Sequence, residues 1–256
     1  MKQELRQREI LNTVYKCLKD YDQNLKNKKI MFVVEMKDKN LIKEEVYFPK
    51  SSYCHLTGVI ILDCNGRKLN SFEFYNLIKK GTITFNKYKI ISRNNTMDLK
   101  LQVLPQLMKI DRMATMIGDF NNSNLYLQTK KIIGNVNACM GFIKDSKSNL
   151  YIPNTTLKSD IRDITDNTNK IVAILKKDAN KILYDEVTYL KQNYKVADIL
   201  KNEEITDNID LKKLNSLNGS IQRKIEEFLK YLLINKFDNI KLYSKYTINH
   251  IFCQYT

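Results

Sequence analysis

The chain has 256 residues, room for one large domain or two smaller ones, and 43% of them are hydrophobic, enough for a core and too many for wholesale disorder. Seven Gly and three Pro exclude collagen-like and linker-dominated architectures, and two His argue against a multi-histidine metal site. Lys and Arg total 43 against 28 Asp and Glu, a formal charge of +15.

Residues 3–25 carry apolar side chains at Leu5, Ile10, Leu11, Val14, Tyr15, Leu18 and Tyr21, a three-and-four spacing that predicts an amphipathic helix. Ile30 to Val34 and Val46 to Phe48 are short β-branched or aromatic runs with Lys37-Asp38-Lys39-Asn40 between them, which predicts a β-hairpin ended by Pro49. Val59 to Leu62 is a buried strand or helix that length alone does not decide. Asn70 with Glu73 three residues later reads as a capping box, and Gly81 as a stop, so a helix is expected over 71–80. An apolar-periodic stretch runs from Leu99 to about Ile117, where Pro105 must kink a helix or mark its start.

From Asn124 the pattern changes to short apolar runs separated by polar turns: Leu125 to Leu127, Ile132-Ile133, Cys139 to Ile143, Leu150 to Ile152, Ile171 to Leu175 and Ile182 to Tyr184. These predict an antiparallel sheet. The fold class expected is α+β: an N-terminal helix and helical segments packed on an antiparallel sheet over 1–195, then a small helical C-terminal module over 196–256. Five widely spaced Cys without a C-x-x-C pair give no zinc or thioredoxin-type site. A polar start and no apolar run of about 18 residues lead to the expectation of a cytoplasmic protein with no membrane partner.

The charge is more informative by position than by total. Thirty-six of the cations are Lys, and Lys, Asn and Ile rise together in any A/T-rich coding sequence. Residues 1–195 nevertheless carry +14 and residues 196–256 only +1, with 14 cations against five anions in 67–147. That asymmetry favours a polyanion near the first region, whereas the plainer reading is a solvated Lys-rich surface.

His55, in the string Tyr53-Cys54-His55-Leu56-Thr57-Gly58, is the first candidate for chemistry, because imidazole takes and returns protons near neutrality. Thr57 lies two residues on, and Gly58 lets backbone approach a ligand. A packed, structural His is the alternative. Pro153-Asn154-Thr155-Thr156, followed by Ser159, Asp160 and Arg162, reads as a hydroxyl-rich loop able to hold a phosphate, or as the cap of a short helix through Ile161. Lys130, Lys131 and Arg93 are candidate phosphate contacts, and Tyr126, Tyr151, Tyr184 and Tyr189 candidate base-stacking residues unless they are core. His250 reads as structural. No phosphate loop, dinucleotide fingerprint, zincin motif or nucleophile elbow is present, and residues 1–130 hold no tight acidic motif for paired metals, so no cofactor or metal is expected.

Phe48, then His55-Leu56-Thr57-Gly58, Phe74-Tyr75-x-x-Ile78-x-x-Gly81, Ile132-Ile133-Gly134, Gly141-Phe142-Ile143 and Tyr151-Ile152-Pro153-Asn154 form a familiar series. Over about residues 30–190 the chain resembles the phage-associated nuclease-like family four of the Barnase–EndoU–colicin–RelE superfamily. The resemblance implies a small α+β core with an antiparallel sheet and, from its characterised branches, metal-independent ribonuclease activity. It implies that His55 is the family's His, and that Thr57 and Asn154-Thr155-Thr156 line the same cleft.

On this reading a ribose 2′-hydroxyl attacks the adjacent phosphate, His55 acts as general base or acid, Arg162 and Lys130 stabilise the developing charge, and Thr155 positions a phosphate oxygen. A second acid–base partner is not evident. The partners expected are RNA or another nucleic acid, and a protein through the C-terminal helices. The alternatives are a non-catalytic phage or host–phage conflict protein that binds RNA or inhibits a nucleic-acid-targeting defence protein, and an oligomeric structural protein.

Overall fold

The computed structural model describes residues 2–92, 96–121, 128–146 and 148–213. In chain order the elements are α1 (Lys2–Asn24), β1 (Lys28–Glu35), β2 (Leu41–Tyr47), α2 (Tyr53–Thr57), β3 (Val59–Leu62), α3 (Ser71–Lys80), β4 (Lys89–Ser92), α4 (Met97–Leu107), α5 (Ile110–Met113) and β5 (Met116–Phe120). They continue with β6 (Lys131–Gly134), β7 (Cys139–Lys144), β8 (Tyr151–Leu157), β9 (Thr165–Asp178), β10 (Glu186–Leu190), α6 (Val196–Ile199) and α7 (Glu203–Thr206).

Eight strands form one sheet in the order β1-β2-β8-β7-β6-β5-β9-β10, and a further β1–β9 pairing closes seven of them into a barrel-like ring. All its pairings are antiparallel except β2 with β8, which meet in parallel at Val46 and Tyr151. Lys131 of β6 reaches Glu44 of β2 at 2.9 Å although these strands are not neighbours, which identifies their shared face as the inward one.

The inward face carries the main core. Ile30, Phe32 and Val34 of β1, Ile133, Met140, Phe142, Ile171 and Ile174 meet Val14, Leu18 and Tyr21 of α1 and Leu104 and Leu107 of α4. Burying each such side chain contributes about 1.5–3 kcal/mol. The alternate residues of the same strands face outward. Met31, Val33, Val172 and Leu175 are covered by Ile199, Ile205 and Ile209, so residues 199–209 pack on the outer face of β1 and β9. The rest of the span expected to form a helical module, residues 214–256 with His250, lies outside the described residues. A second outer cluster joins Phe120, Ile132, Cys139, Ile161 and Ile164.

Several expectations change. Val59 to Leu62 is a strand, paired with β4 in a separate two-stranded sheet. The helix expected from Leu99 to Ile117 ends at Leu107, two residues after Pro105, whose ring nitrogen cannot donate to the preceding turn. After the short α5 the chain becomes β5, because pairing with β6 and β9 outweighs an apolar spacing that also suits a helix. Asn154 to Thr156 are not a loop but part of β8. Ile182 to Tyr184 make only an isolated bridge between Tyr184 and Ile209, and the last strand is β10 instead. No helix among the described residues is long and apolar enough to cross a membrane.

Candidate active site

After Pro49 a single 3-10 turn, Lys50–Ser52, runs directly into α2. Tyr53 and Leu56, three apart and both fully buried, fix which side of this helix faces the core, and Tyr53 Oη donates to the Val14 carbonyl of α1. His55 is thereby turned to the outside, where it is exposed. Gly58 ends the helix at φ 67°, the left-handed cap that favours glycine.

The last carbonyls of a helix lack intrahelical donors, and here side chains supply them. Thr57 Oγ1 donates to Cys54 O at 3.0 Å, Lys100 Nζ to His55 O at 3.2 Å and Thr156 Oγ1 to Leu56 O at 2.8 Å. Thus α4 and β8 both hold the segment that presents His55. The Lys100 stem also lies against Gly58, where an added Cβ would stand 2.8 Å from Lys100 Cδ.

Helix α3 closes the site from the other side. Asn70 caps it, accepting from the Phe72 and Glu73 amides, while the Glu73 carboxylate accepts from the Asn70 amide. This cap sets Ser71 at the first helical position with its Oγ 3.4 Å from His55 Nε2, the outer limit of a hydrogen bond. The surrounding chain covers part of the ring, and that partial loss of hydration lowers the imidazole pKa below its ordinary 6.5; the charges of Lys68 and Lys100 lower it further. The ring is therefore neutral at neutral pH, ready to accept a proton. Burial raises the pKa of the neighbouring Cys54 despite Lys68, Ser71 and Lys100, so its thiol stays protonated and is not an activated nucleophile. Burial lowers the Lys100 ammonium pKa as well.

Among the described residues no carboxylate forms an ion pair with Lys68 or Lys100. Three other cations, one beside the site and two from the sequence-based set, are neutralised. Arg67 is held by Asp63 and Glu73, Arg162 by Asp160 at 2.6 Å, and Lys131 by Glu44 and Asp119. An imidazole beside two cations that lack counter-charges suits an anionic ligand whose reaction transfers a proton. Among the described residues no three His, Cys, Asp or Glu side chains converge on one point.

The residues singled out from sequence do not all meet. Thr57 is fully buried and its hydroxyl is engaged in the α2–β3 corner, donating to Cys54 O and accepting from the Val59 amide. Thr156 faces α2, and by strand alternation Thr155 faces the opposite side of β8, against Thr129 and Gly141. Arg162 stands beside Ile161 of the outer cluster, on the 3-10 turn Ile161–Asp163 capped by Asp160. The sheet thus separates Thr155 and Arg162 from His55.

Asn154 binds Thr129 Oγ1 and Gln128 O, linking β8 to the segment before β6. Lys130 is exposed at the entry to β6, two strands along the sheet from β8. Tyr184 is core, bonded to Glu45. Arg93 and Tyr126 lie outside the described residues. Sequence reasoning passed over Lys68, Ser71 and Lys100. The capping box was the one available signal, since it fixed where α3 starts, but not what its first turn faces.

An exposed imidazole beside cations without carboxylate partners among the described residues, mounted on a short helix over a closed mixed sheet, is the most reactive arrangement on this α+β domain. The family model described as phage-Barnase-EndoU-ColicinE5/D-RelE like nuclease4 matches residues 13–193, and the chain belongs to this nuclease-like, phage-associated family. No curated protein and no solved structure matches the chain.

Proposed function

We propose that the chain is an endoribonuclease that cuts RNA at a phosphate held between Lys68 and Lys100. His55 removes the proton from the ribose 2′-hydroxyl, which attacks the adjacent phosphorus. The two ammonium groups stabilise the charge that develops on the phosphoryl oxygens, the service a metal ion performs in other nucleases. Lys100, its acidity raised by burial, gives a proton to the departing 5′-oxygen. Ser71 orients the imidazole through Nε2.

One arrangement carries this reading: an exposed His55 with Ser71 Oγ 3.4 Å from its Nε2 and Lys100 Nζ on its carbonyl, beside two lysines that no described carboxylate neutralises and whose charge helps keep the imidazole pKa low. A base must be free of its proton at working pH, and the phosphate must find positive charge beside it. The +14 charge of residues 1–195 draws a polyanion toward this domain.

The test is a short RNA incubated with the protein in EDTA. The expected products are a fragment ending in a 2′,3′-cyclic phosphate and one beginning with a 5′-hydroxyl, and an all-2′-deoxy version of the strand stays intact. RNA that is bound but uncut favours the non-catalytic alternative, and cutting only in the presence of a divalent metal overturns the mechanism.

A further inference from the structure

Phe72 follows Ser71 on α3 and is 57% exposed, while Phe74, Tyr75 and Ile78 supply that helix's buried side. A single exposed apolar side chain needs no explanation. Phe72 differs in what surrounds it. Lys50 Nζ stands 5.7 Å from the Phe72 ring centroid and 4.6 Å from that of Tyr75. Like Lys68 and Lys100, Lys50 has no carboxylate ion pair among the described residues. Lys50 and His55 belong to one helical run, 50–57, and five residues of helical rise separate them by about 8–10 Å. Phe72 also adjoins Ser71, whose Oγ stands 3.4 Å from His55 Nε2, so an accessible aromatic ring with a cation over it lies on the same first turn of α3 that meets the imidazole.

We propose that Phe72 and Lys50 form a subsite for an unpaired nucleobase and its phosphate, beside the phosphate handled at His55. This rests on the nuclease reading and narrows it to single-stranded RNA. A base stacked between neighbours in a duplex has no free face for Phe72, whereas an unpaired one can leave the strand and stack on the ring. Lys50 holds the adjoining phosphate and strengthens the stack through its charge. Because every base has a π-face, the subsite selects unpaired over paired RNA and not one base over another.

The test is binding of the full chain to a short 2′-O-methyl RNA, which has no free 2′-hydroxyl and cannot be cut by this route. Phe72→Ala is expected to weaken binding by roughly 5- to 150-fold, and Phe72→Tyr to restore it. On the same sugar–phosphate backbone without bases, wild type and Phe72→Ala should bind alike, and the fully paired duplex should bind wild type no better than Phe72→Ala. Equal binding of the single strand by wild type and Phe72→Ala overturns the subsite while leaving nuclease activity untouched. A loss that persists on the base-free backbone overturns stacking as its cause. Failure of the wild type to bind any RNA overturns this proposal and the nuclease reading together.

Discussion

Thr156 Oγ1 donates to the carbonyl oxygen of Leu56 at 2.8 Å, a buried bond between residues one hundred positions apart. It ties β8 of the closed sheet to the helix that presents His55. With the Lys100 bond to the His55 carbonyl, it leaves a five-residue helix little freedom to turn.

Thr156→Val removes that donor and leaves the Leu56 carbonyl buried without one, at a cost of about 1–3 kcal/mol. Thr156 touches no substrate, so the loss should appear in kcat with KM nearly unchanged, and Thr156→Ser should restore it. Steady-state kinetics alongside thermal melting check this. A variant with normal kcat and lowered melting temperature would reduce Thr156 to a purely structural role.

The pH dependence follows from the sign of the His55 shift. Burial and the two lysines depress its pKa, so the neutral base persists below the ordinary 6.5. Activity should be at its plateau at neutral pH and fall as pH drops through the lowered value. Lys68→Gln removes one repelling charge, which makes protonation easier and moves the midpoint upward. Titration of the His55 resonance by NMR, with His250 replaced to leave a single imidazole, measures the same shift directly. An unchanged midpoint in Lys68→Gln would show that its charge does not act on the ring.

Gly58→Ala tests how Lys100 is placed. The left-handed φ of 67° strains any residue with a Cβ by about 1–2 kcal/mol, and the new methyl would meet Lys100 Cδ at 2.8 Å. Both a lower melting temperature and a slower cleavage step are expected. Loss of stability alone would mean that Lys100 has another way to reach the phosphate.

Away from the site, Lys176 Nζ binds Asp111 Oδ2 at 2.7 Å, with side chains 6% and 0% exposed, where α5 packs on β9. Asp111→Asn should destabilise the fold by about 3 kcal/mol, since it leaves the buried ammonium only the half-exposed Glu186 carboxylate at 3.5 Å, whereas Asp111→Leu with Lys176→Met should cost less. Chemical denaturation of the two variants gives the comparison.

The elements most legible in the sequence were those with local causes. The three-and-four apolar spacing placed α1, and the reciprocal Asn70–Glu73 cap with Gly81 placed α3 over Ser71–Lys80. The β1–β2 hairpin followed from two β-branched runs around a polar turn. The ring closure through β1 and β9 did not, because it depends on pairing residues about 140 positions apart that no local pattern records. Asn154 to Thr156 looked like a loop because strand polarity alternates with the face presented, and that alternation is what sends Thr155 and Thr156 to opposite sides of the sheet. His55 stood out by rarity. Lys68, Ser71 and Lys100 are ordinary residues that join the proposed site only by lying around one imidazole, and for Ser71 and Lys100 the packing of α3 and α4 against α2 puts them there.

The most direct test of the account is the initial rate of cleavage of one defined single-stranded RNA in EDTA by His55→Ala relative to wild type. A fall of about 10²- to 10⁴-fold is expected for loss of a general base, with the variant's fold intact because the exposed ring supports no core packing. A His55→Ala protein that cuts as fast as wild type would contradict the assignment of this site.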